Sequence, residues 1–218
     1  MAACIETENL NVDIDHKPLW DQGLTVRIER GRRVRLAGPS GCGKSTLLKC
    51  LMGFMPTFSG VIRIDQEELT AASVWKLRQK LVYLAQEPDL GTGSVSARLR
   101  EPFGYRHNAQ IKFDTDKLHH WLAYYHLPRT ILDKDLKMLS GGEKQRLAVI
   151  SAILLNRRVF LLDEPVSAMD ALSRRQFIEM FRSHPDWTAV FISHDESLSE
   201  MADETIDLAE MRQGVQRQ

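Results

Sequence analysis

The fold is decided by the segment Gly38-Pro39-Ser40-Gly41-Cys42-Gly43-Lys44-Ser45-Thr46. It follows an apolar stretch, ending at Leu36 and Ala37, that is typical of a buried strand. The glycines allow the backbone to curl so that several N–H groups point inward at one phosphate. A helix that opens at Ser45 adds positive potential, Lys44 supplies charge for the β- and γ-phosphates, and the Ser45 hydroxyl is placed to hold Mg²⁺. The segment predicts a Walker A phosphate loop; the alternative is a glycine-rich turn with a solvated lysine.

A second motif reads Val159-Phe160-Leu161-Leu162-Asp163-Glu164. The apolar run predicts a central parallel strand that is buried on both faces and ends in two acids. Ligands of open α/β sheets bind at this edge, so Asp163 is expected to hold Mg²⁺ and Glu164 to polarise the water that attacks the γ-phosphate. The alternative is a surface acid pair that begins a turn before Pro165.

A third motif reads Leu139-Ser140-Gly141-Gly142-Glu143-Lys144-Gln145-Arg146. Ser140 and Glu143 have the spacing of a capping box, ahead of apolar residues at helical spacing, namely Leu147, Ile150 and Leu154. A cap does not need two glycines, whereas Gly141 and Gly142 let an anion approach bare backbone at a helix N-terminus. This predicts a second phosphate site, and two half-sites in one chain suggest two chains that share two nucleotides.

In this order the motifs resemble the ATPase subunit of an ATP-binding-cassette (ABC) transporter, over about Ile5 to Leu208. The resemblance implies an α/β P-loop NTPase fold of ABC type, with a mixed central sheet, an N-terminal antiparallel β region and a helical subdomain. It implies one domain over residues 1–218, in which residues 1–86 and 156–218 form the nucleotide-binding core. Residues 87–155 would form the helical signature lobe.

The resemblance also implies the roles of individual residues. Gln86 matches the Q-loop glutamine, His194 the switch histidine, and Ser167 to Asp170 the D-loop, with Met169 where leucine is usual. Ser140 and Gly142 would touch the γ-phosphate held by the partner's Lys44. The expected catalytic residues are Glu164, His194 and Gln86, and the expected Mg²⁺ ligands are Ser45, Gln86 and Asp163. The expected nucleotide contacts are Gly38, Pro39, Ser40, Gly41, Cys42, Gly43, Lys44, Ser45, Thr46, Ser140, Gly141 and Gly142.

The chain departs from the family at the adenine contact. An aromatic residue is usual a little over twenty positions before the Walker A loop, which falls near Asp15, and Val12 to Lys17 contain no Phe, Tyr or Trp. Trp20 is the nearest candidate, although its spacing is wrong and packing between the N-terminal strands is the better interpretation. Weaker ATP affinity or looser base selectivity is therefore a hypothesis.

Composition narrows the class of protein. The 218 residues include 29 Lys plus Arg and 29 Asp plus Glu, so the net charge is zero and no nucleic-acid partner is expected. No apolar run approaches the roughly 20 residues that cross a bilayer, and no secretory signal is evident at Met1 to Glu6. The three cysteines are too few for a disulfide scaffold. Cys42 lies beside Lys44, where positive potential lowers the pKa of a thiol, which predicts readier alkylation than at Cys4 and Cys50. The favoured alternative is that Cys42 is a small residue tolerated in the loop.

Together these observations predict a cytoplasmic ATPase that closes as a head-to-tail homodimer over two MgATP. The resemblance implies that a separate integral membrane permease holds it on the inner face of the cell membrane. Residues 91–103 and 127–132 look similar to the ATPase of a bacterial two-component exporter implicated in iron homeostasis. One alternative is a soluble ABC ATPase that acts on DNA or ribosomes. Another is a small-molecule kinase, which leaves residues 139–146 and His194 unexplained.

Overall fold

The computed structural model describes residues 3–14, 16–55 and 57–212. Within them the strands are β1 (Ala3–Asn11), β2 (Asp13–Ile14), β3 (Lys17–Pro18), β4 (Leu24–Glu29), β5 (Arg33–Ala37), β6 (Ser59–Ile64), β7 (Glu67–Glu68), β8 (Leu81–Leu84), β9 (Val159–Asp163), β10 (Thr188–Ile192) and β11 (Glu204–Asp207). The α-helices are α1 (Lys44–Leu51), α2 (Val74–Arg78), α3 (Val95–Arg100), α4 (Thr115–Tyr124), α5 (Gly141–Leu154), α6 (Ala171–Arg182) and α7 (Leu208–Arg212). None of these described helices combines the length and the apolar character that crossing a bilayer requires.

A parallel five-stranded sheet, in the order β11-β5-β10-β9-β8, forms the centre of the fold. Alternate side chains of β9 enter two different hydrophobic clusters: Val159 and Leu161 face one, and Phe160 and Leu162 face the other. Every residue of β9 is buried, because packed layers cover both faces of the sheet. This two-sided burial explains why the strand is an unbroken apolar run until Asp163, and it confirms the predicted strand.

An antiparallel four-stranded sheet, in the order β4-β1-β6-β7, covers one face of the parallel sheet. In its register Ile5 of β1 lies opposite Ile28 of β4 and Ile64 of β6. These side chains join the hydrophobic cluster that also contains Leu161 and the buried residues of α1. The predicted N-terminal antiparallel region is confirmed, and α1 lies between the two sheets' apolar surfaces.

Helices α3 to α6 and several 3₁₀ turns pack in the second hydrophobic cluster, on the other face of the parallel sheet. The buried residues of α5 occur on every side of the helix, so α5 is an internal helix rather than a surface one. The α/β fold class with an antiparallel region and a helical part is therefore confirmed. The proposed lobe limits at residues 86/87 and 155/156 stay a prediction.

Arg157 joins the sheet to the helical part just after α5. Its Nη1 donates to the carbonyl oxygens of Arg78 (3.0 Å) and Leu81 (2.6 Å), and Nη2 donates to Oδ1 of Asn108 (3.2 Å). Burial lowers the pKa of this guanidinium from its usual value. No carboxylate in the described part of the chain forms an ion pair with it, so its hydrogen bonds go to carbonyl and amide oxygens, while Nε is buried without a partner among the described residues.

We expect Arg157→Met to lower the free energy of unfolding by about 2–3 kcal/mol, because two carbonyls and the buried Asn108 amide lose their donor. The measurement is urea unfolding followed by circular dichroism. Arg158→Met is the matched control, since Arg158 and its ion-pair partner Asp186 are largely exposed and its loss should cost about 0.5 kcal/mol or less. Equal losses of unfolding free energy in the two variants would show that Arg157 does not hold the sheet and the helical part together.

Candidate functional site

The glycine-rich loop connects β5 to α1, which begins at Lys44, one residue before the predicted start. Gly43 is the N-cap of α1 with φ at +101°, and a Cβ there would lie 2.8 Å from side-chain atoms of Leu19 and Trp20. Trp20 is 1% exposed, and its Nε1 donates to the Cys42 carbonyl at 3.2 Å. Trp20 thus packs as expected for a structural residue, but directly beneath the phosphate loop. Because Gly43 has no side chain, it leaves the first amides of α1 without a side-chain cap and accessible to an anion.

Two side chains of this loop, those of Lys44 and Cys42, were expected to interact. The Lys44 Nζ donates to the carbonyl oxygens of Gly38 (2.7 Å) and Pro39 (3.0 Å), so its charge lies within the loop. Cys42 is only 2% exposed, and all three cysteines are buried. The Lys44 Nζ lies 4.0 Å from the Cys42 Sγ, whereas burial raises the pKa of Cys4 to about 11 and that of Cys50 to about 12. The readier alkylation of Cys42 stays a prediction.

A cavity of about 360 Å³ lies in front of the loop. It brings together residues from five separate parts of the sequence at the carboxyl edge of the parallel sheet, where ligands of such sheets bind. Its lining consists of Ile14, Leu19, Ser40, Gly41, Gly43, Lys44, Ser45, Thr46, Gln86, Asp163, Glu164, Ile192 and His194. Gly38, Pro39 and Cys42 belong to the loop but do not line the cavity. Asp15, where the sequence located the base contact, lies outside the described residues.

Two oxygen-bearing side chains predicted to hold Mg²⁺ meet in this cavity. The Ser45 hydroxyl donates to Oδ1 of Asp163 at 3.2 Å, and the Tyr83 hydroxyl donates to Oδ2 at 3.4 Å. Burial, followed by the charge of Asp163, raises the pKa of Tyr83 to about 12, so its phenol stays protonated at neutral pH. A hydroxyl and a carboxylate are hard oxygen ligands that fit Mg²⁺, and the Gln86 side chain lines the same cavity.

The sequence analysis missed Tyr83. It is a partly buried residue of β8 that pairs with β9, so its approach to Asp163 follows from the strand order. The alternation of β8 could indicate which face Tyr83 occupies, but only the order of the strands reveals what it touches.

Glu164 is held with an unusual backbone next to the phosphate loop. Its φ is +49°, its N–H donates to the Ile192 carbonyl at 3.0 Å, and its Oε2 accepts from the backbone N–H of His194 at 3.2 Å. Its Oε1 lies 3.6 Å from Nε2 of His194 and is buried without a hydrogen-bond partner in the described residues. The carboxylate is therefore oriented through Oε2, while Oε1 keeps unused capacity to accept a hydrogen bond.

The capping box at the start of α5 is confirmed. The N–H of Glu143 donates to the Ser140 Oγ at 3.2 Å, and the N–H of Ser140 donates to Oε2 of Glu143 at 2.8 Å. The bond from the Ser140 backbone is the main cause that lowers the pKa of Glu143. A Cβ at Gly142 would lie 2.7 Å from the carbonyl oxygen of Ala168, so the second glycine is also required by packing.

The glycine-containing start of α5 lies away from the first cavity. Ser140, Gly141 and Gly142 do not line it, and Gly141 instead lines a second cavity of about 450 Å³. That cavity also contains Gln86, Ser167 and Ala168, so Gln86 borders both. The two predicted phosphate sites of one chain are therefore separate in space.

Gln145, which the sequence analysis did not single out, connects these two regions. It is 2% exposed; its Nε2 donates to the Glu164 carbonyl (3.1 Å) and the Ser167 Oγ (3.2 Å), and its Oε1 accepts from the Ala168 N–H (2.8 Å). An amide that is buried among apolar helix residues must find polar partners, and this was the available sequence signal. The second turn of α5 is thereby bonded to the backbone of Glu164.

The fold and cavity define a P-loop nucleotide-binding domain, and comparison with known sequences gives the family. Residues 22–167 match the family described as ABC transporter. The chain is 33% identical over 188 residues to the probable iron export ATP-binding protein FetA of Escherichia coli, covering 85% of this chain and 82% of that protein. It is 29% identical over 187 residues to the energy-coupling factor transporter ATP-binding protein EcfA1 of Bacillus subtilis, covering 84% of this chain and 66% of that protein. The chain belongs to the ABC transporter family and is an ATP-binding ABC ATPase.

Solved structures agree with the fold. A dimeric ATP-binding cassette in a post-hydrolysis state, bound to ADP and Pi, superposes with a TM-score of 0.77 at 20% identity, covering 93% of each chain. CbiO1 from Clostridium perfringens, part of the ABC transporter complex cbiONQ, superposes with a TM-score of 0.75 at 23% identity. That match covers 95% of this chain and 85% of that one. At these identities the likeness establishes the fold alone.

We expect Gln145→Ala to lower the kcat of ATP hydrolysis by roughly 10- to 100-fold, since a small displacement of Glu164 misaligns the attacking water. The Kd for ATP should change by less than about threefold, because Gln145 does not line the first cavity. Phosphate release and binding of a fluorescent ATP analogue measure the two quantities separately.

The matched control is Gln176→Ala on α6, where a partly buried glutamine donates to the Tyr124 carbonyl outside the site. It also removes a glutamine hydrogen bond but should leave kcat within about twofold of wild type. If the two variants lose the same activity, general destabilisation explains the loss and Gln145 does not position Glu164.

Proposed function

We propose that this chain is the ATP-hydrolysing motor subunit of an ABC membrane transporter, binding MgATP at a homodimer interface and driving a separate permease. The observation that carries the proposal is the first cavity, in which the phosphate loop, Asp163, Glu164 and His194 lie together. Membership of the ABC transporter family supports the same assignment.

The chemistry follows from the positions of the side chains. The loop amides and Lys44 would bind the phosphates, and Ser45, Asp163 and Gln86 would hold Mg²⁺. Bound Mg²⁺ supplies charge that neutralises the phosphate oxygens. Glu164 would orient the attacking water and accept its hydrogen bond through Oε1, the oxygen without a partner in the described structure. His194, whose side chain is 81% exposed, would reach the γ-phosphate from the other side of that carboxylate.

The separation of the two phosphate sites supports a head-to-tail dimer. Ser140, Gly141 and Gly142 lie outside the cavity of their own chain, so their proposed phosphate contact needs a second copy. A helix N-terminus with adjacent glycines is suited to an anion delivered by another subunit. The likeness to a cassette described as dimeric agrees with this arrangement.

We expect Glu164→Gln to bind ATP with a Kd within about threefold of wild type but to hydrolyse it at least about 100-fold more slowly. The amide keeps the side-chain size and loses the basic oxygen, so the variant should accumulate as an ATP-bound dimer. Light scattering after size exclusion with MgATP measures the dimer, and ADP and Lys44→Ala serve as controls that should remain monomeric. Hydrolysis at the wild-type rate, or no dimer with ATP, would contradict the proposal.

The proposed permease is tested by purifying tagged Glu164→Gln protein with MgATP from detergent-solubilised membranes of the source cells. Mass spectrometry should identify a polytopic membrane protein, because the proposed transporter needs a subunit that spans the bilayer. Recovery of ribosomal or DNA-bound partners alone would instead support the soluble alternative. The same preparation with Lys44→Ala controls for association that does not depend on nucleotide.

We propose that this transporter exports metal, and that its substrate is iron. The support is the 33% identity to a protein named as a probable iron exporter subunit. The other relative is named for energy-coupling factor transport, so the substrate depends on the permease. The permease recovered above should therefore move Fe²⁺ out of vesicles in an ATP-dependent way when it is reconstituted with this chain. Transport of a different substrate would overturn iron and leave the motor role intact.

A further inference from the structure

Arg35 is a charged residue in the middle of β5, which lies between β11 and β10 in the parallel sheet. Its neighbours Val34 and Leu36 belong to the hydrophobic cluster that contains α1, so the side chain of Arg35 lies on the opposite face of the sheet. Its register partner on β10 is Phe191, a fully buried member of the second hydrophobic cluster. A guanidinium therefore lies on a face where the adjacent strand presents an aromatic ring.

The side-chain hydrogen bonds described for Arg35 go to the segment that follows β10. Nη1 donates to the Ser199 Oγ at 2.7 Å, and Nη2 donates to the Ser193 carbonyl at 3.3 Å, while Nε is buried without a partner among the described residues. Ser193 comes two residues after Phe191, so Arg35 extends about 6–7 Å along the sheet towards its carboxyl edge. Taking a charge out of water is costly, and neutral oxygens compensate only part of that cost. Stability alone is therefore a weak reason for this arginine.

The segment held in this way contains His194. Its backbone N–H donates to Oε2 of Glu164 at 3.2 Å, but its side chain is 81% exposed. From the side of α6, Arg174 forms an ion pair with Asp195, whose N–H donates to the Ser193 Oγ at 3.0 Å. Because the exposed imidazole has little packing of its own, the backbone on both sides of His194 determines where it lies.

We propose that Arg35 is a positioning residue for His194 and acts through the Ser193 carbonyl. This inference rests on the proposed function, because it assumes that His194 reaches the γ-phosphate. Loss of the guanidinium would release the carbonyl that directly precedes His194, and the imidazole would then move relative to Glu164. Arg35 does not line the first cavity, so it acts on hydrolysis without changing nucleotide binding.

The test is Arg35→Met, which keeps a long side chain and removes the donors. We expect the kcat of ATP hydrolysis to fall by about 10-fold and the KM for ATP to change by less than about twofold, since a misplaced catalytic group slows the reaction without weakening substrate binding.

The matched control is Arg33→Met. Arg33 lies two residues earlier on the same face of β5 and forms an ion pair with Asp203, beyond the 3₁₀ turn Glu196–Met201. Its loss should leave kcat within about twofold of wild type. Equal losses of kcat in the Arg33 and Arg35 variants would overturn the proposal.

A double variant shows whether Arg35 acts through His194. In single-turnover hydrolysis, Arg35→Met should change the residual rate of His194→Ala by less than about twofold, because the imidazole that Arg35 positions is already absent. A further loss of about 10-fold would show that Arg35 acts on another part of the site, and would overturn the proposal.

Hydrogen exchange gives a readout that does not depend on activity. The backbone amides of His194 and Asp195 should exchange at least about 10-fold faster in Arg35→Met than in wild type, and at the wild-type rate in Arg33→Met. Unchanged exchange in Arg35→Met would show that the arginine does not hold this segment. If Arg35→Met does not fold, Arg35→Lys replaces it: a single ammonium cannot span both acceptors, so kcat should fall about threefold at unchanged KM, and a wild-type kcat would overturn the proposal.

His194→Ala and Glu164→Gln separate this inference from the proposed function. If both variants lose hydrolysis while Arg35→Met keeps the wild-type kcat, Arg35 does not position His194 and the motor function stands. If both variants hydrolyse ATP at the wild-type rate, the proposed function itself is wrong.

Discussion

The peptide at Glu164 is held in a left-handed conformation by bonds from three parts of the chain, and the proposed chemistry depends on it. Its N–H bonds to the carbonyl of Ile192 in β10, and its carbonyl accepts from the N–H of Ser167 and from the side chain of Gln145 in α5. A non-glycine residue in this region costs on the order of 1–3 kcal/mol and persists only where its surroundings determine it. Here the hydrogen bonds and the His194 N–H determine both the backbone and the direction of the carboxylate. The position of Glu164 is thus a property of β9, β10 and α5 together.

This constraint connects the two phosphate sites within one chain. The turn that begins α5 carries Ser140 and Gly142, and one turn later Gln145 bonds to the Glu164 carbonyl. Gly142 also lies against the carbonyl of Ala168, which leaves no room for a side chain between α5 and the segment that follows β9. In the proposed dimer, a nucleotide held by one subunit would contact the start of α5 in the other. Any shift of α5 on that contact would move the support of Glu164, so each site could sense the occupancy of its neighbour through packed atoms.

The features that could be predicted from sequence are those specified by local pattern. The run from Val159 to Asp163, the capping box at Ser140 and the loop before Lys44 each encode their structure within a few residues. The contacts of Tyr83, Gln145 and Ile14 could not be predicted, because they depend on strand order, on the packing of α5 against the loop after β9, and on where a two-residue strand lies. The burial of Cys42 could not be predicted either. Its charged neighbour Lys44 is visible in the sequence, but its burial depends on the fold.

The distribution of polar groups in the first cavity determines what kind of ligand it can distinguish. Lys44, Ser45, Asp163, Glu164 and His194 all carry groups suited to phosphate, Mg²⁺ or water, whereas Ile14 and Leu19 carry none. Hydrogen-bonding sites reject ligands that leave their polar groups unpaired, and apolar surfaces discriminate only weakly. The site should therefore distinguish nucleotides by their number of phosphates. A nucleotide without a γ-phosphate leaves Glu164 and His194 without a partner. An ATPase that must distinguish its triphosphate-bound and diphosphate-bound states needs this discrimination.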